Sequence, residues 1–380
     1  MKLAMLGCGV VGGGLLELLQ GRKDLELNYV LVRGPHPELG ALAVTEIAPI
    51  LRDPEVSLVV EVMGGVEPAF SYVSAALAAG KHVVTSNKAL IAARYDALSA
   101  LAWEHGVSLR CAGAVGGGIP FLSALEQVRR RDRLLSVSGI LNGTTNYILD
   151  IMTREGRGFE TALTAAQALG YAESDPTADI DGWDIRRKLV ICANIAFDVS
   201  LREERIPMAG IRRITAADIA AFTAAGFVCR MIASASRKSG AVFACLEPTL
   251  VPCGAPEAAV SLNCNRITLL AEKLGAQSFC GQGAGRFPTA SNVLQDCLDI
   301  LDGSRGFYTR NAAPCAVDNS GVRRRYYVRT AHQERYDGMI AGAMGPGLIT
   351  RPIPVSEIHM LRDDSRFLAA LPDNYEVTAC

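Results

Sequence analysis

Over its first hundred residues the chain alternates short apolar runs with amphipathic ones. Residues 2–6 form an apolar run stopped by Gly7, and 10–19 carry apolar residues at helical spacing. Residues 27–32 are rich in strand formers. The run 58–63 (LVVEVM) reads as a buried strand closed by Gly64-Gly65, and 68–79 as an Ala-rich helix that Gly80 stops. Residues 82–85 make the next strand, 89–103 the next helix and 107–111 another strand. Strands alternating with helices of this length predict βαβ units on a parallel sheet. The right-handed crossover then gives a doubly wound, Rossmann-type α/β nucleotide-binding domain.

The pattern changes near 113–118. A glycine-rich bend (AGAVGGGIP) leads into a helix over 120–131, a strand near 135–141 and helices over 144–154, 159–169 and 184–196. Residues 199–280 read as helices mixed with short strands, and a second glycine motif, GQGAG at 281–285, precedes a helix around 292–302. The expected organisation is a Rossmann-type domain over 1–118 joined by about 281–303, and a second α+β domain over 119–280. A short C-terminal appendage, richer in Arg, Pro and turns, covers 304–380. No repeat of fixed period interrupts this order.

Composition narrows the function classes. Of 380 residues 49% are hydrophobic and 20% charged, too apolar and too balanced for a disordered chain. With 38 Lys+Arg against 39 Asp+Glu, no basic excess offers the footprint of a nucleic-acid binder. No apolar run approaches the roughly 18 residues of a membrane span. The N-terminal run is broken at once by Gly7, Gly9 and Gly12, so it reads as mature structure and not as a signal peptide. Eleven cysteines are scattered without a CxxC, and the five His do not pair with them at zinc spacing. Reduced, buried thiols in a cytoplasmic protein are expected, with Cys380 exposed and a redox role for it the lesser reading.

Gly7-Cys8-Gly9-Val10-Val11-Gly12 is a complete GxGxxG between a strand and a helix. Gly7 permits the tight turn, Gly9 lets the backbone approach a pyrophosphate, and Gly12 lets the helix pack close to the strand. The N–H groups at the start of the helix, Val10 and Val11 among them, then face the anion. The second strand ends at Val32-Arg33-Gly34, with no carboxylate before Glu38 to hold ribose hydroxyls. A guanidinium at Arg33 suits a 2′-phosphate, so NADP(H) is expected over NAD(H), the alternative being that Arg33 is a solvated loop charge.

Two further segments are dense in polar groups. In Lys81-His82-Val83-Val84-Thr85-Ser86-Asn87-Lys88 the strand runs to the ligand-binding edge of the sheet and Asn87 caps the next helix. Lys88 then starts that helix, where the dipole disfavours its charge. The second segment, 170–189, sets four carboxylates ahead of a helix carrying Asp184 and Lys188 at i, i+4, on one face. It reads either as an exposed salt pair beside an acidic loop or as a site that binds an ammonium and moves a proton. EF-hand spacing is lacking, which argues against calcium.

At these residues the chain resembles homoserine dehydrogenase. GGVEPAFSYVSAALAAGKHVVTSNKALIA (64–92), GGGIPFL (116–122), GILNGTTNYIL (139–149), AQALGYAESDPTADIDGWDIRRKL (166–189) and GQGAGRFPTAS (281–291) carry the likeness, over roughly residues 1–303. The resemblance implies interconversion of aspartate 4-semialdehyde and homoserine with a nicotinamide cofactor, and a catalytic domain whose sheet builds a homodimer. It implies Lys188 as proton donor and acceptor, Asp184 as the carboxylate that positions it, Glu173 and Asp179 at the substrate, and Lys88 near nicotinamide and substrate. Gly64, Ser86, Gly170, Gly283 and Gly285 are implied at the cofactor. The four-carbon amino aldehyde and the nicotinamide would meet between Lys88 and Lys188.

The chain also departs from the family pattern. The family commonly has Glu in the strand before the bend, where it helps bind sodium or a similar cation. Ala112 stands there, leaving the backbone carbonyls of Val115, Gly117 and Ile119 as ligands. A hard cation prefers oxygen ligands with negative charge, so a weakened or absent site is expected. Ser86, Ser174 and Arg186 are milder changes. In the tail, Arg325-Tyr326-Tyr327-Val328-Arg329 resembles the first strand of a regulatory ACT domain, but the following residues suggest a shortened, degenerate version. Two rival readings are a reductase of a related amino-aldehyde and a non-catalytic nucleotide- or amino-acid-binding relative.

Overall fold

The computed structural model describes residues 1–238, 240–307, 313–361, 363–372 and 375; Cys380 lies outside them. The chain divides into two units. The first consists of Met1–Leu134, Val190–Glu203 and Gly281–Pro314, and the second of Leu135–Leu189, Glu204–Cys280 and Cys315–Cys380.

In the first unit β1 (Lys2–Leu6), β2 (Glu26–Leu31), β3 (Ala43–Val44), β4 (Val56–Glu61), β5 (His82–Thr85) and β6 (Leu109–Arg110) form one sheet in the order β3-β2-β1-β4-β5-β6. Every pair is parallel. Strand order reverses at β1, the doubly wound signature that puts a ligand beyond the carboxyl ends of the strands. Helices α1 (Val10–Leu19), α2 (Ala48–Arg52), α3 (Ala69–Ala78), α4 (Lys88–Glu104) and α5 (Phe121–Arg129) complete the unit's first stretch. The strands are apolar because both faces are covered: Leu58, Val59 and Val60 are all fully buried. Each such side chain contributes about 1.5–3 kcal/mol over an exposed one. The short strands β8 (Val199–Ser200) and β13 (Ala313–Pro314) pair in parallel in the same unit, which also holds α11 (Arg286–Leu301).

The expected boundary at 118 moves to Leu134. Side chains explain it: Arg129, at the end of α5, donates to the Ile195 carbonyl at 2.7 Å, and the Tyr95 hydroxyl to that of Phe307 at 3.2 Å. These tie α5 to the segment around Ile195, and α4 to the segment around Phe307, within the first unit.

The second unit is built on a nine-stranded sheet. Its strands are β7 (Leu134–Ile140), β9 (Phe227–Lys238), β10 (Ala241–Pro252), β11 (Cys264–Ala271), β12 (Gly275–Gln282), β15 (Tyr326–Arg329), β16 (Ile340–Met344), β17 (Gly347–Thr350) and β19 (Phe367–Ala370). The order is β12-β11-β7-β9-β10-β19-β15-β17-β16. Helices α6 (Gly143–Glu155), α7 (Phe159–Ala168), α8 (Thr177–Ile180) and α10 (Ala216–Ala224) belong to it, and α9 (Trp183–Phe197) begins in it. The short strands expected over 199–280 are instead long: β9 and β10 pair antiparallel through twelve residues each.

The tail is not a separate appendage. Its strands extend the second unit's sheet, with β19 pairing in parallel with β10 at Thr249 and Ala370. Strands β15, β16, β17 and β19, with a turn of 3₁₀ helix at Gln333–Tyr336 and α12 (Val355–Met360), follow the chain order β-helix-β-β-helix-β. They pair antiparallel in the spatial order fourth, first, third, second. That is a ferredoxin-like topology with both helices cut short, fuller than the sequence suggested. Mostly polar residues closed by Gly338 hid the first helix. Glu247, fully buried on β10, fixes the tail from inside. It accepts from Arg324 at 2.7 Å and pairs with His359 at 2.8 Å.

Candidate active site

The glycine turn follows β1. Gly7 has φ +94°, and a Cβ there would lie 2.9 Å from Met63 Cγ. At Gly12 a Cβ would lie 2.8 Å from the Gly7 carbonyl oxygen. At Gly9 nothing lies within 4 Å, so this backbone stays open to an approaching group. Helix α1 starts there with no side-chain cap and no acidic residue in its first turn. Val10 is 70% exposed while Val11 packs on the core. An uncapped, unobstructed helix start fits an anion, so these residues suit a dinucleotide pyrophosphate. Arg33 is exposed just beyond β2.

The edge beside β4 and β5 is organised by Glu61, which sequence reasoning passed over inside LVVEVM. Fully buried, it accepts from the backbone N–H groups of Met63 (2.8 Å) and Gly64 (3.3 Å). It also accepts from the Thr85 hydroxyl (2.5 Å) and the Asn87 amide (3.3 Å). Asn87 donates further to the Gly65 carbonyl at 2.6 Å and caps α4 by accepting from Leu90 N–H at 3.1 Å. One carboxylate therefore fixes the Gly64 loop, Thr85 and Asn87, the residue before the half-buried Lys88 that starts α4. The available signal was a lone charge in an otherwise apolar strand, which needs partners when buried.

In the second unit, Lys188 and Asp184 are both buried on one face of α9, 2.8 Å apart. Lys188 Nζ also donates to the Leu141 carbonyl at 2.8 Å. Asn142, the N-cap of α6, donates to Asp184 Oδ2 at 2.9 Å and to Asp179 Oδ1 at 2.7 Å. The Thr144 hydroxyl shares its one proton between the Tyr171 carbonyl at 2.6 Å and Asp179 Oδ2 at 3.0 Å. Burial, and next the charge of Asp184, push the Asp179 carboxyl above its ordinary value, against the hydrogen bonds from Asn142 and Thr144. Asn142 and Thr144 were not among the expected site residues, although GILNGTTNYIL contains them. Glu173 is exposed and lies outside this hydrogen-bonded cluster; its backbone carbonyl accepts from Gln167 at 3.1 Å. Gly170 ends the turn after α7 with φ +73°. Arg186 stacks on the Trp183 ring at 4.3 Å, directed away from the ion pair as i, i+2 spacing requires.

Residues 7–112 match the family model for "Homoserine dehydrogenase, NAD binding domain", and 120–298 the model for "Homoserine dehydrogenase". A homoserine dehydrogenase of Synechocystis sp. is 42% identical over 320 residues, covering 79% of this chain and 73% of that one. The chain belongs to the homoserine dehydrogenase family. A Mycobacterium leprae homoserine dehydrogenase is 36% identical over 94% of this chain and 85% of its own length. The crystal structure of a homoserine dehydrogenase from Thiobacillus denitrificans superposes with a TM-score of 0.86 at 28% identity, over 98% of both chains. Homoserine dehydrogenases are oxidoreductases, and this chain carries both their nucleotide-binding and their catalytic portion.

The cation that the homoserine dehydrogenase pattern implies does not fit this chain. Ala112 is buried and has no side-chain oxygen. The Asp296 carboxylate accepts from Ala112 N–H at 2.6 Å and pairs with Arg110 Nε at 2.9 Å. The carbonyls of Gly117 and Ile119 both accept from the Asn292 amide, at 2.5 and 3.1 Å.

Proposed function

We propose that the chain interconverts L-homoserine and L-aspartate 4-semialdehyde with NADP(H) preferred, Lys188 exchanging the proton. The observation that carries this is the Lys188 ammonium held in a buried place between the Asp184 carboxylate and the Leu141 carbonyl. An ammonium has three hydrogens. With two directed at these acceptors, the third is left for a substrate oxygen. A bound nicotinamide supplies a hydride to the aldehyde carbon, or removes one from the alcohol. Lys188 gives its proton to the oxygen as alkoxide charge builds, and takes it back in the reverse direction. Asp184 fixes Lys188 Nζ and balances its charge while it is protonated. Asp179 and Glu173 serve the substrate ammonium, and Lys88 steadies the nicotinamide end of the site. The Asn142 amide holds Asp179 and Asp184 at a set separation.

The NADP(H) preference rests on Arg33, exposed beyond β2 where an NAD site carries a carboxylate. Gly64, Ser86, Gly170, Gly283 and Gly285 complete the cofactor's surroundings in this reading. The assembly is a homodimer in the cytoplasm, in keeping with Cys111, Cys192, Cys229, Cys245 and Cys297 all buried. Among the described residues no helix is long and apolar enough to cross a membrane. Steady-state oxidation of homoserine with NADP⁺ and with NAD⁺ tests the reading. The expected result is turnover with both and higher kcat/KM with NADP⁺, reversed by Arg33→Asp. Nucleotide binding with no turnover of homoserine or semialdehyde overturns it in favour of a non-catalytic relative.

A further inference from the structure

The bend through residues 115–119 is held from within by one side chain. Asn292, buried on α11, directs a single nitrogen at the carbonyls of both Gly117 and Ile119. A side-chain amide carries two N–H donors on that nitrogen, so one group can serve both acceptors. The opposite orientation would set its oxygen against two carbonyl oxygens, so the acceptors themselves fix it. Ile119 also accepts from Phe121 N–H at 2.8 Å. A monovalent cation would do similar work, drawing carbonyl oxygens to a common centre, but it needs nearby negative charge. Ala112 provides none, and Asp296 is already paired with Arg110. A neutral amide needs no such charge and buries no ion.

We propose that the Asn292 amide takes the place of a bound cation in this protein, making the bend independent of salt, and that Asn292 is a positioning residue for the cofactor turn. Gly117 transmits the effect. It has φ +55°, and a Cβ there would lie 2.7 Å from both Gly283 C and Ala284 N. A bend that shifts therefore displaces the 283–285 turn. This inference concerns the fold of the bend and is measurable whatever substrate is turned over.

The test follows thermal unfolding and NADPH binding of the full chain in NaCl, KCl and choline chloride at equal ionic strength, which removes general screening as a variable. The unchanged protein is expected to give the same Tm and the same Kd in all three. Asn292→Asp keeps the shape but sets a carboxylate against two carbonyls. In choline it should unfold earlier and bind NADPH about tenfold more weakly, as expected for buried hydrogen bonds lost. Na⁺ or K⁺ should restore it selectively. A saturable rise in Tm or affinity of the unchanged protein with Na⁺ or K⁺, absent in choline, overturns the proposal. So does an Asn292→Asp protein that matches the original in choline, or one that no cation rescues. The salt series on the unchanged protein needs no variant, so it decides whether the bend depends on a cation even if the variant fails to fold.

Discussion

The nucleotide turn of the first unit and the Lys188 cluster of the second are built by opposite means. The turn is made from what is missing. Side chains at Gly7 and Gly12 would strike Met63 and the Gly7 carbonyl, and Gly9 leaves its surroundings open. The cluster is made from what converges: Leu141, Asn142, Thr144, Asp179, Asp184 and Lys188, from α6, α8, α9 and the end of β7. A site made of backbone is written in adjacent residues. A site made of buried charges is written across the fold and exists only once the fold places its partners.

The sharpest way to break this contrast is at Lys188. Lys188→Met removes the proposed proton donor and keeps the Asn142 hydrogen bond to Asp184. Turnover of homoserine should fall about 10²–10⁴-fold, the usual worth of general acid–base catalysis. NADPH affinity, measured by fluorescence titration, should hold. An equal loss of affinity would mean that Lys188 serves the cofactor instead. The complementary change is Gly7→Ala. It places a side chain at φ +94° and against Met63, and a left-handed non-glycine residue costs about 1–2 kcal/mol. NADPH should bind about tenfold more weakly, while kcat at saturating cofactor changes little. A fall in kcat with binding intact would show that the turn shapes the chemistry as well as holding the cofactor.

The contrast also explains what could be read from sequence. The first sheet was legible because each strand and helix is bounded by local stop signals, and GxGxxG carries its geometry in six residues. Lys188 and Asp184 were legible as an i, i+4 pair, but spacing alone left an exposed salt pair equally open. Their burial was not in the helix sequence. It comes from Asn142 and the Leu141 carbonyl, more than forty residues earlier. Glu61 was hidden for a related reason: its side-chain partners, Thr85 and Asn87, lie more than twenty residues on at the end of the next strand. The tail was misread because its short helices carry little periodicity, and because pairing between β10 and β19 joins residues 121 apart in register (370 less 249).

Asp179 offers the finest separation of structure from chemistry. Its carboxyl is raised above the ordinary 3.8 by burial first and by the Asp184 charge second. A raised folded-state pKa means that the native state binds the proton more tightly than the unfolded chain does. The associated stability is fully present below pH 3.8 and is lost as pH rises through the folded value. At neutral pH the ionised Asp179 therefore weakens the fold. Asp179→Asn removes that charge and keeps one oxygen to accept from Asn142. Thr144 still donates to the Tyr171 carbonyl at 2.6 Å. The variant should unfold at or above the Tm of the unchanged protein at pH 7, with the difference closing below pH 3.8. Its KM for homoserine should rise, because an ammonium loses its counter-charge. A variant less stable at pH 7 would show that the second hydrogen bond outweighs the relief of charge, and that the cluster is a structural ion network first. A more stable variant with a raised KM would show a carboxylate kept against the interests of the fold, for the substrate.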